Sequence, residues 1–125
     1  MFKRKKIMIS IAILVMMLAM TVTAFASSNS CSLHTTANSA YTSGLTTDTT
    51  HSSGRNNTYS TDTMKIQLQV KRNGVWESLG TGEVKPGHNA TGGTVECDDF
   101  YSFRTKIYTK LGNGGVEGIG CIYNW

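Results

Sequence analysis

The residues that could carry chemistry are three histidines, three cysteines and a short acidic run. His34, His51 and His88 lie far apart along the chain, without the short His/Cys spacings of structural metal sites. We therefore predict surface histidines, no metal site and no cofactor. The residue content leaves room for catalysis by a cysteine with a histidine, but an exported cysteine is more often structural. We predict that the chain is not an enzyme and has no catalytic residues.

The acidic run consists of Glu96, Asp98 and Asp99, which surround Cys97. These carboxylates would bind calcium only if backbone carbonyls converged on the same point, whereas a solvated turn needs no such arrangement. The glycine pairs and runs at 92–93 and 112–115 are followed by neither a helix nor a lysine, so they indicate turns and not phosphate-binding loops.

One group of side chains could form a binding surface. Phe100, Arg104, Lys106 and Tyr108 alternate along a predicted strand, on the face opposite the core. Aromatic rings beside cations on an exposed sheet can bind a sugar or a protein. The alternative is that they are ordinary cross-strand pairs that stiffen the sheet. We take these four residues as the candidate surface and expect a glycan or protein partner.

The first 26 residues have the features of a signal peptide. The basic run 3–6 precedes an apolar stretch, and Ala24-Phe25-Ala26 has the small-x-small form of a cleavage site. A retained membrane anchor is the alternative, but the apolar stretch is shorter than the roughly 20 residues of a span. A lipoprotein site at Cys31 would need a leucine-like residue at position 28, which is serine. We predict cleavage after Ala26, an extracellular domain at 27–125 and no membrane anchor after cleavage.

Removal of this segment changes the charge of the chain. Four of the 12 basic residues lie in it and none of the eight acidic ones do, so eight basic residues face eight acidic ones in the remainder. A neutral domain without a block of like charge gives no support for binding nucleic acid.

Alternation of apolar and polar residues predicts an all-β domain. Met64, Ile66, Leu68 and Val70 alternate with polar residues, as in an antiparallel strand with one face on a core. The same pattern places Tyr101, Phe103, Thr105 and Ile107 inside, followed in a last strand by Ile119, Cys121, Tyr123 and Trp125. We also predict strands at about 32–42, 45–52 and 94–98 and a flexible stretch at 80–93. The expected fold is an immunoglobulin-like antiparallel β-sandwich of about seven strands.

The dipeptide Asn73-Gly74 predicts a hairpin with two possible registers. A two-residue turn pairs Lys71 with Trp76 on the polar face, whereas a three-residue loop pairs Val70 with Trp76 in the core. Because burial of an indole is worth a few kcal/mol, we predict the three-residue loop.

Residues 61–125 resemble a group of small exported β-sandwich proteins of Gram-positive bacteria, most of them uncharacterised. The residues that carry the resemblance are Asn73, Gly74, Trp76, Tyr101, Phe103, Arg104, Lys106 and Glu117. The resemblance implies a fold and export, and no activity.

The cysteines predict one disulfide. If the first strand takes the position of the second strand in an immunoglobulin topology, it begins at the same end of the sandwich as the turn that follows Cys97. Cys31, at the start of that strand, then lies near Cys97. We therefore predict a Cys31–Cys97 bridge, with Cys121 as a buried free thiol. The pair Cys31–Cys121 is the alternative if the first strand lies beside the last one. Disulfides require Cα atoms within about 7 Å.

The function that we expect is a secreted, non-enzymatic binding module at the cell envelope or a host surface. The alternative is a bacteriocin-like antagonist of competing bacteria, suggested by small size, export and the aromatic C-terminal sequence CIYNW.

Overall fold

The computed structural model describes residues 27–124, and the predicted signal peptide and Trp125 lie outside this range. Within it the chain forms strands only, which confirms the all-β class. The seven strands are β1 (Ser28–Leu33), β2 (Ser39–Tyr41), β3 (Leu45–Asn56), β4 (Met64–Arg72), β5 (Val75–Val84), β6 (Asn89–Thr109) and β7 (Gly118–Tyr123). Residues 27–124 contain no helix long and apolar enough to cross a membrane.

All seven strands belong to one antiparallel sheet with the order β1-β7-β3-β6-β4-β5, and β2 pairs with β6. The long strand β6 links two layers. Its residues 89–96 and 101–103 pair with β3, and its residues 102–109 pair with β4. The sheet thereby folds over itself into the predicted β-sandwich. It differs from an immunoglobulin domain, whose two sheets are separate, since β3 and β6 here continue the hydrogen bonding from one layer into the other.

The core lies between these layers. The predicted inward residues of β4 are buried, as are Phe103, Thr105 and Ile107 of β6, because side chains alternate strictly along regular strands. Tyr101 was also predicted inside but is 38% exposed, because it borders the stretch where the regular pairing of β6 with β3 is interrupted. Side chains from the N-terminal and C-terminal parts of the domain complete the core: Leu33, Val84, Val116 and Ile122.

Strand β6 contains a wide bulge that the sequence pattern did not indicate. Thr47 pairs with Tyr101 and Thr49 pairs with Glu96, so the single residue Asp48 faces residues 97–100 of β6. Bulges bend a strand and redirect its side chains. The predicted strand at 94–98 and the predicted strand that contains Tyr101 to Ile107 are therefore one bent strand, and the stretch predicted as flexible at 80–93 is mostly strand.

The hairpin between β4 and β5 has the two-residue turn, so the predicted three-residue loop is wrong. Arg72 pairs with Val75 and Lys71 with Trp76, while Asn73 and Gly74 have φ values of 52° and 77°. Positive φ at both positions is the type I′ geometry, which matches the twist of the flanking strands. Trp76 therefore lies on the outer face and not in the core.

The last strand presents the opposite face from the predicted one. Gly118, Gly120 and Ile122 are buried, whereas Ile119 is 50% exposed. The physical reason is steric: β7 lies between β1 and β3, where Gly120 is close to Ile107 and Cys31 of the core. A larger residue than glycine would not fit there, so the inward positions of β7 did not show the apolar pattern used for prediction.

Candidate functional site

The outer face of β2, β4, β5 and the second half of β6 carries a cluster of rings and cations. We call Tyr41, Trp76, Arg104, Lys106 and Tyr108 the aromatic–cation platform. Tyr41 is opposite Lys106 in the pairing of β2 with β6, and Trp76 comes from β5, two strands away from Arg104. The platform is thus assembled from three strands that are distant in sequence.

Arg104 lies at the centre of the platform. Its guanidinium carbon is 4.3 Å from the centroid of the Tyr41 ring and 4.3 Å from that of the Trp76 ring. Its Nε donates a hydrogen bond to Oε1 of Gln69 at 2.7 Å, and Gln69 in turn donates to Gln67 at 2.6 Å. The two ring contacts and the hydrogen bond together hold the planar guanidinium in place.

Lys106 extends the same arrangement along β6. Its ammonium nitrogen is 4.8 Å from the centroid of Tyr108 and 5.6 Å from that of Tyr41. At the other end, the ammonium nitrogen of Lys71 is 5.8 Å from the Trp76 ring. Cations and rings therefore alternate across the face, with each ring close to at least one positive charge.

Three of the four predicted surface residues, Arg104, Lys106 and Tyr108, take part in this platform. Phe100 lies in the bulge of β6 and is 64% exposed; its ring makes none of the cation contacts found within residues 27–124. The prediction missed Tyr41, and it missed Trp76 because the chosen hairpin register placed that residue in the core. The two-residue Asn-Gly turn was the signal that could have found Trp76.

The opposite layer carries two adjacent open cavities of about 360 and 440 Å3. Both are lined by Arg55 and Ile119, and the first also by Tyr59 and Glu117. Oε1 of Glu117 is 3.0 Å from Nδ1 of His34, an exposed side chain. This pair lacks a nucleophilic hydroxyl or thiol within hydrogen-bond distance of His34 in the part of the chain described, so it does not form a catalytic triad.

The remaining predicted chemical groups lie apart from one another. His51 donates or accepts a 2.8 Å hydrogen bond with Thr94 and stacks on Tyr123 at 5.0 Å between ring centroids. Asp99 accepts a hydrogen bond from the Phe100 amide at 2.8 Å within the bulge. Among residues 27–124 no three histidine, cysteine, aspartate or glutamate side chains converge as a metal site would require.

The three cysteines are unbonded, so the predicted Cys31–Cys97 disulfide is not formed. Strand β1 pairs with β7, which places Cys31 beside the core cluster of Leu33 and Ile107, whereas Cys97 packs against the other cluster, near Phe103.

The alternative disulfide partner, Cys121, is on the neighbouring strand but faces away from Cys31. Cys31 is opposite Gly120, one position from Cys121, and successive residues of a strand point to opposite faces. Cys121 therefore lines an outer cavity, half-buried, and is not the buried thiol that we predicted. Burial raises the pKa of the Cys31 thiol, the negative charge of a Cys121 thiolate adds to the rise, and a hydrogen bond with the Gly120 backbone opposes it.

Comparisons with known proteins show the fold of the chain. No protein-family model matches it, and no curated protein matches its sequence. Among solved structures it is similar to the PBSX exported protein XepA, with a TM-score of 0.56 and 12% identity over 81% of this chain and 36% of XepA. This chain therefore spans about a third of XepA, and identity at this level indicates a shared β fold and nothing about activity.

Weaker likenesses extend to other small β proteins. A protein of disulfide-linked pili from Bacillus endospore appendages aligns with a TM-score of 0.48 and 15% identity, over 79% of this chain and 85% of that one. The carbohydrate-binding module CBM36, solved with calcium and xylotriose, aligns with a TM-score of 0.43 and 15% identity, over 74% and 76% of the two chains.

Proposed function

We propose that this chain is a secreted, non-enzymatic binding module that holds a glycan or a protein through the aromatic–cation platform. The observation that carries the proposal is the contact of Arg104 with two rings, since its guanidinium carbon is 4.3 Å from the centroids of both Tyr41 and Trp76. A side chain held by two rings and a hydrogen bond to Gln69 loses little rotamer freedom when a ligand arrives, and this lowers the cost of binding. Secretion rests on the predicted signal peptide.

The architecture also supports a binding role over a purely structural one. Cross-strand pairs that only stiffen a sheet would give small stabilisation per pair, and exposed cation–ring contacts are worth about 0.5–1 kcal/mol each. The platform instead gathers several such contacts around one arginine on one exposed face. Rigid aromatic and arginine side chains in such a cluster are typical of binding hot spots.

The test is a binding screen of the purified chain against a glycan array and sedimented peptidoglycan. We expect retention on at least one glycan or peptidoglycan preparation, and a loss of at least tenfold in affinity for Arg104→Ala. The matched control is Arg55→Ala, which removes an arginine from the opposite layer and should leave the affinity unchanged.

Two results would contradict the proposal. The first is a ligand whose affinity is reduced by Arg55→Ala and not by Arg104→Ala, since that ligand would bind at the cavities of the opposite layer. The second is reproducible chemical turnover of the bound compound, detected by mass spectrometry, because a binding module leaves its ligand unchanged.

A further inference from the structure

We infer that the ligand of the aromatic–cation platform is a polysaccharide that carries carboxylate groups. This inference rests on the proposed function and adds to it the chemical class of the ligand. Three features of the platform face carry the inference: the cations without carboxylate partners, the free edge of the Arg104 guanidinium, and the rings already covered by cations.

The first feature is the charge of the platform face. Lys65 and Lys71 of β4 share this face with Arg104 and Lys106 of β6. Within residues 27–124 the lysine and arginine ion pairs comprise a single contact, between Lys110 and Glu83 at 3.1 Å, so none of these four cations has a carboxylate partner. Glu83 of β5 is opposite Lys65 on this face, but its carboxylate forms the ion pair with Lys110. The four cations are therefore left without an ion pair in the described part of the chain, and an anionic ligand is favoured there.

The second feature is the hydrogen-bonding capacity of Arg104. Its Nε is bonded to Gln69, while its two Nη nitrogens donate no hydrogen bond to another residue of the described range. The rings of Tyr41 and Trp76 both lie 4.3 Å from the guanidinium carbon, so the edge that carries the two Nη nitrogens is the part of the group left for a ligand. A carboxylate is the planar anion that accepts two parallel hydrogen bonds from such an edge.

The third feature concerns the rings themselves. Tyr41, Trp76 and Tyr108 each have a cation within 5 Å of the ring centroid, so one face of each ring is already occupied. Nucleobases bind proteins by stacking on bare aromatic faces, and neutral sugars also pack against such faces. The platform therefore favours a ligand that is recognised through charge and hydrogen bonds over one that is recognised through stacking.

The spacing of the cations favours a linear polymer over a single small anion. Arg104 and Lys106 are two residues apart on one strand, which separates their Cα atoms by about 7 Å. Lys65 and Lys71 lie on the adjacent strand, at either end of the same face. A chain of regularly spaced carboxylates can contact several of these cations at once, and linked contacts raise the overall affinity.

The experiment measures binding of the purified chain to polygalacturonate and to the same polymer with its carboxylates methyl-esterified. Trp125→Phe leaves Trp76 as the sole tryptophan, so its fluorescence reports on the platform directly. We expect the acidic polymer to change this fluorescence. The affinity should fall at least tenfold between 50 and 300 mM NaCl, as about two or more neutralised charges would give. Esterification of the polymer should also reduce the affinity at least tenfold.

Variants separate the contribution of charge from that of geometry. Arg104→Lys keeps the charge and loses the paired donors, so we expect a loss of at least fivefold in affinity for the acidic polymer, and Lys106→Ala should lose affinity as well. Arg55→Ala should bind like the unmodified chain. Circular dichroism of each variant checks that the sheet is retained.

The outcomes that overturn the inference are distinct from those that overturn the proposed function. Equal affinity for the esterified polymer, or for neutral xylan, refutes the carboxylate requirement while the platform remains a binding surface. Tighter binding of an oligo(dT) strand than of polygalacturonate assigns the platform to nucleic acid and also refutes it. No binding of polygalacturonate at millimolar uronate in low salt refutes the inference outright, and a ligand insensitive to every platform variant refutes the proposed function.

Discussion

At the scale of single residues, the orientation of a side chain decides its chemistry more than its type does. Trp76 has the composition of a core residue, yet it lies on the outer face because Lys71 and Trp76 are paired across a two-residue turn. Its indole is half-buried against Arg104. The contact with the guanidinium stabilises the indole in this position, and this compensates in part for the hydrophobic burial that it does not have outside the core.

Cys31 provides a prediction at the same scale. Because burial raises the pKa of its thiol, less thiolate is present at neutral pH than in a free cysteine, and the thiolate is the reactive form. We expect Cys31 to react with iodoacetamide at pH 7.5 more slowly in the folded chain than in the urea-unfolded chain. Mass spectrometry of labelled peptides measures this rate, and equal rates in the two states would contradict the prediction.

The same shift predicts how stability depends on pH. A thiol whose pKa is higher in the folded than in the unfolded state remains protonated to a higher pH in the folded chain. Its contribution to the free energy of unfolding is therefore complete below the unfolded pKa of about 8.5. That contribution is lost as the pH rises through the raised folded pKa. Between pH 8 and 10 we therefore expect the free energy of unfolding to fall more steeply for the unmodified chain than for Cys31→Ala. Urea titrations at each pH measure the two slopes, which should be indistinguishable if Cys31 does not contribute.

At the scale of secondary structure elements, turns and bulges set which side chains meet. The type I′ turn fixes the register of β5 on β4, and the bulge at 97–100 redirects β6 between the layers. At Gly82, a Cβ atom would lie 2.8 Å from the carbonyl oxygen of Thr91, so only glycine allows β5 to approach β6 this closely. The platform depends on all three features, since β5 supplies Trp76 and β6 supplies Arg104.

The turn supplies a prediction about stability. At Gly74 a Cβ atom would have no neighbour within 4 Å. A substitution there therefore affects stability through the conformational preference of the backbone and not through a steric clash. With φ at 77°, Gly74→Ala should reduce the free energy of unfolding by about 1–2 kcal/mol. Gly74→Asn should cost less, because asparagine tolerates this region.

Chemical denaturation of the two Gly74 variants measures the difference. Ser78→Ala, at an exposed position of β5 whose φ is not positive, is the matched control and should change stability by less than about 0.5 kcal/mol. Equal losses for alanine and asparagine at position 74 would show that the backbone conformation is not the cause.

At the scale of the whole molecule, buried polar contacts connect the two layers of the sandwich. Thr105 is fully buried and its hydroxyl donates to the carbonyl of Cys121 at 2.8 Å. The Ser52 hydroxyl, 2.7 Å away, then donates to Thr105, and the Thr105 amide donates to the hydroxyl of Thr42 at 3.0 Å. One threonine thus joins β3, β6, β7 and the segment after β2.

Thr105→Val should destabilise the domain by about 1–3 kcal/mol, since it leaves the buried Ser52 hydroxyl without its acceptor. The double variant Ser52→Ala/Thr105→Val should be less destabilised than the sum of the single variants, because both members of the pair are then absent. Thr46→Val, at an exposed position of β3, is the control. Additive losses in urea titrations would show that the two hydroxyls act independently.

The amino-acid sequence by itself determined the strands whose alternation is regular. Met64 to Val70 and Phe103 to Ile107 face the core as predicted, because a two-residue period and one buried face leave a single favourable orientation. The same regularity placed Arg104, Lys106 and Tyr108 on the outer face. These inferences depend only on local geometry, which the order of residues specifies.

Only the tertiary structure decided which distant residues meet. The pairing of β1 with β7 separated Cys31 from Cys97, the bulge of β6 kept Phe100 out of the platform, and β2 and β5 brought Tyr41 and Trp76 to Arg104. Strand order and bulges follow from how whole faces pack against each other, and they leave no periodic signal in the chain. A β-sheet joins residues across long sequence separations, so its surface chemistry is a property of the assembled layers.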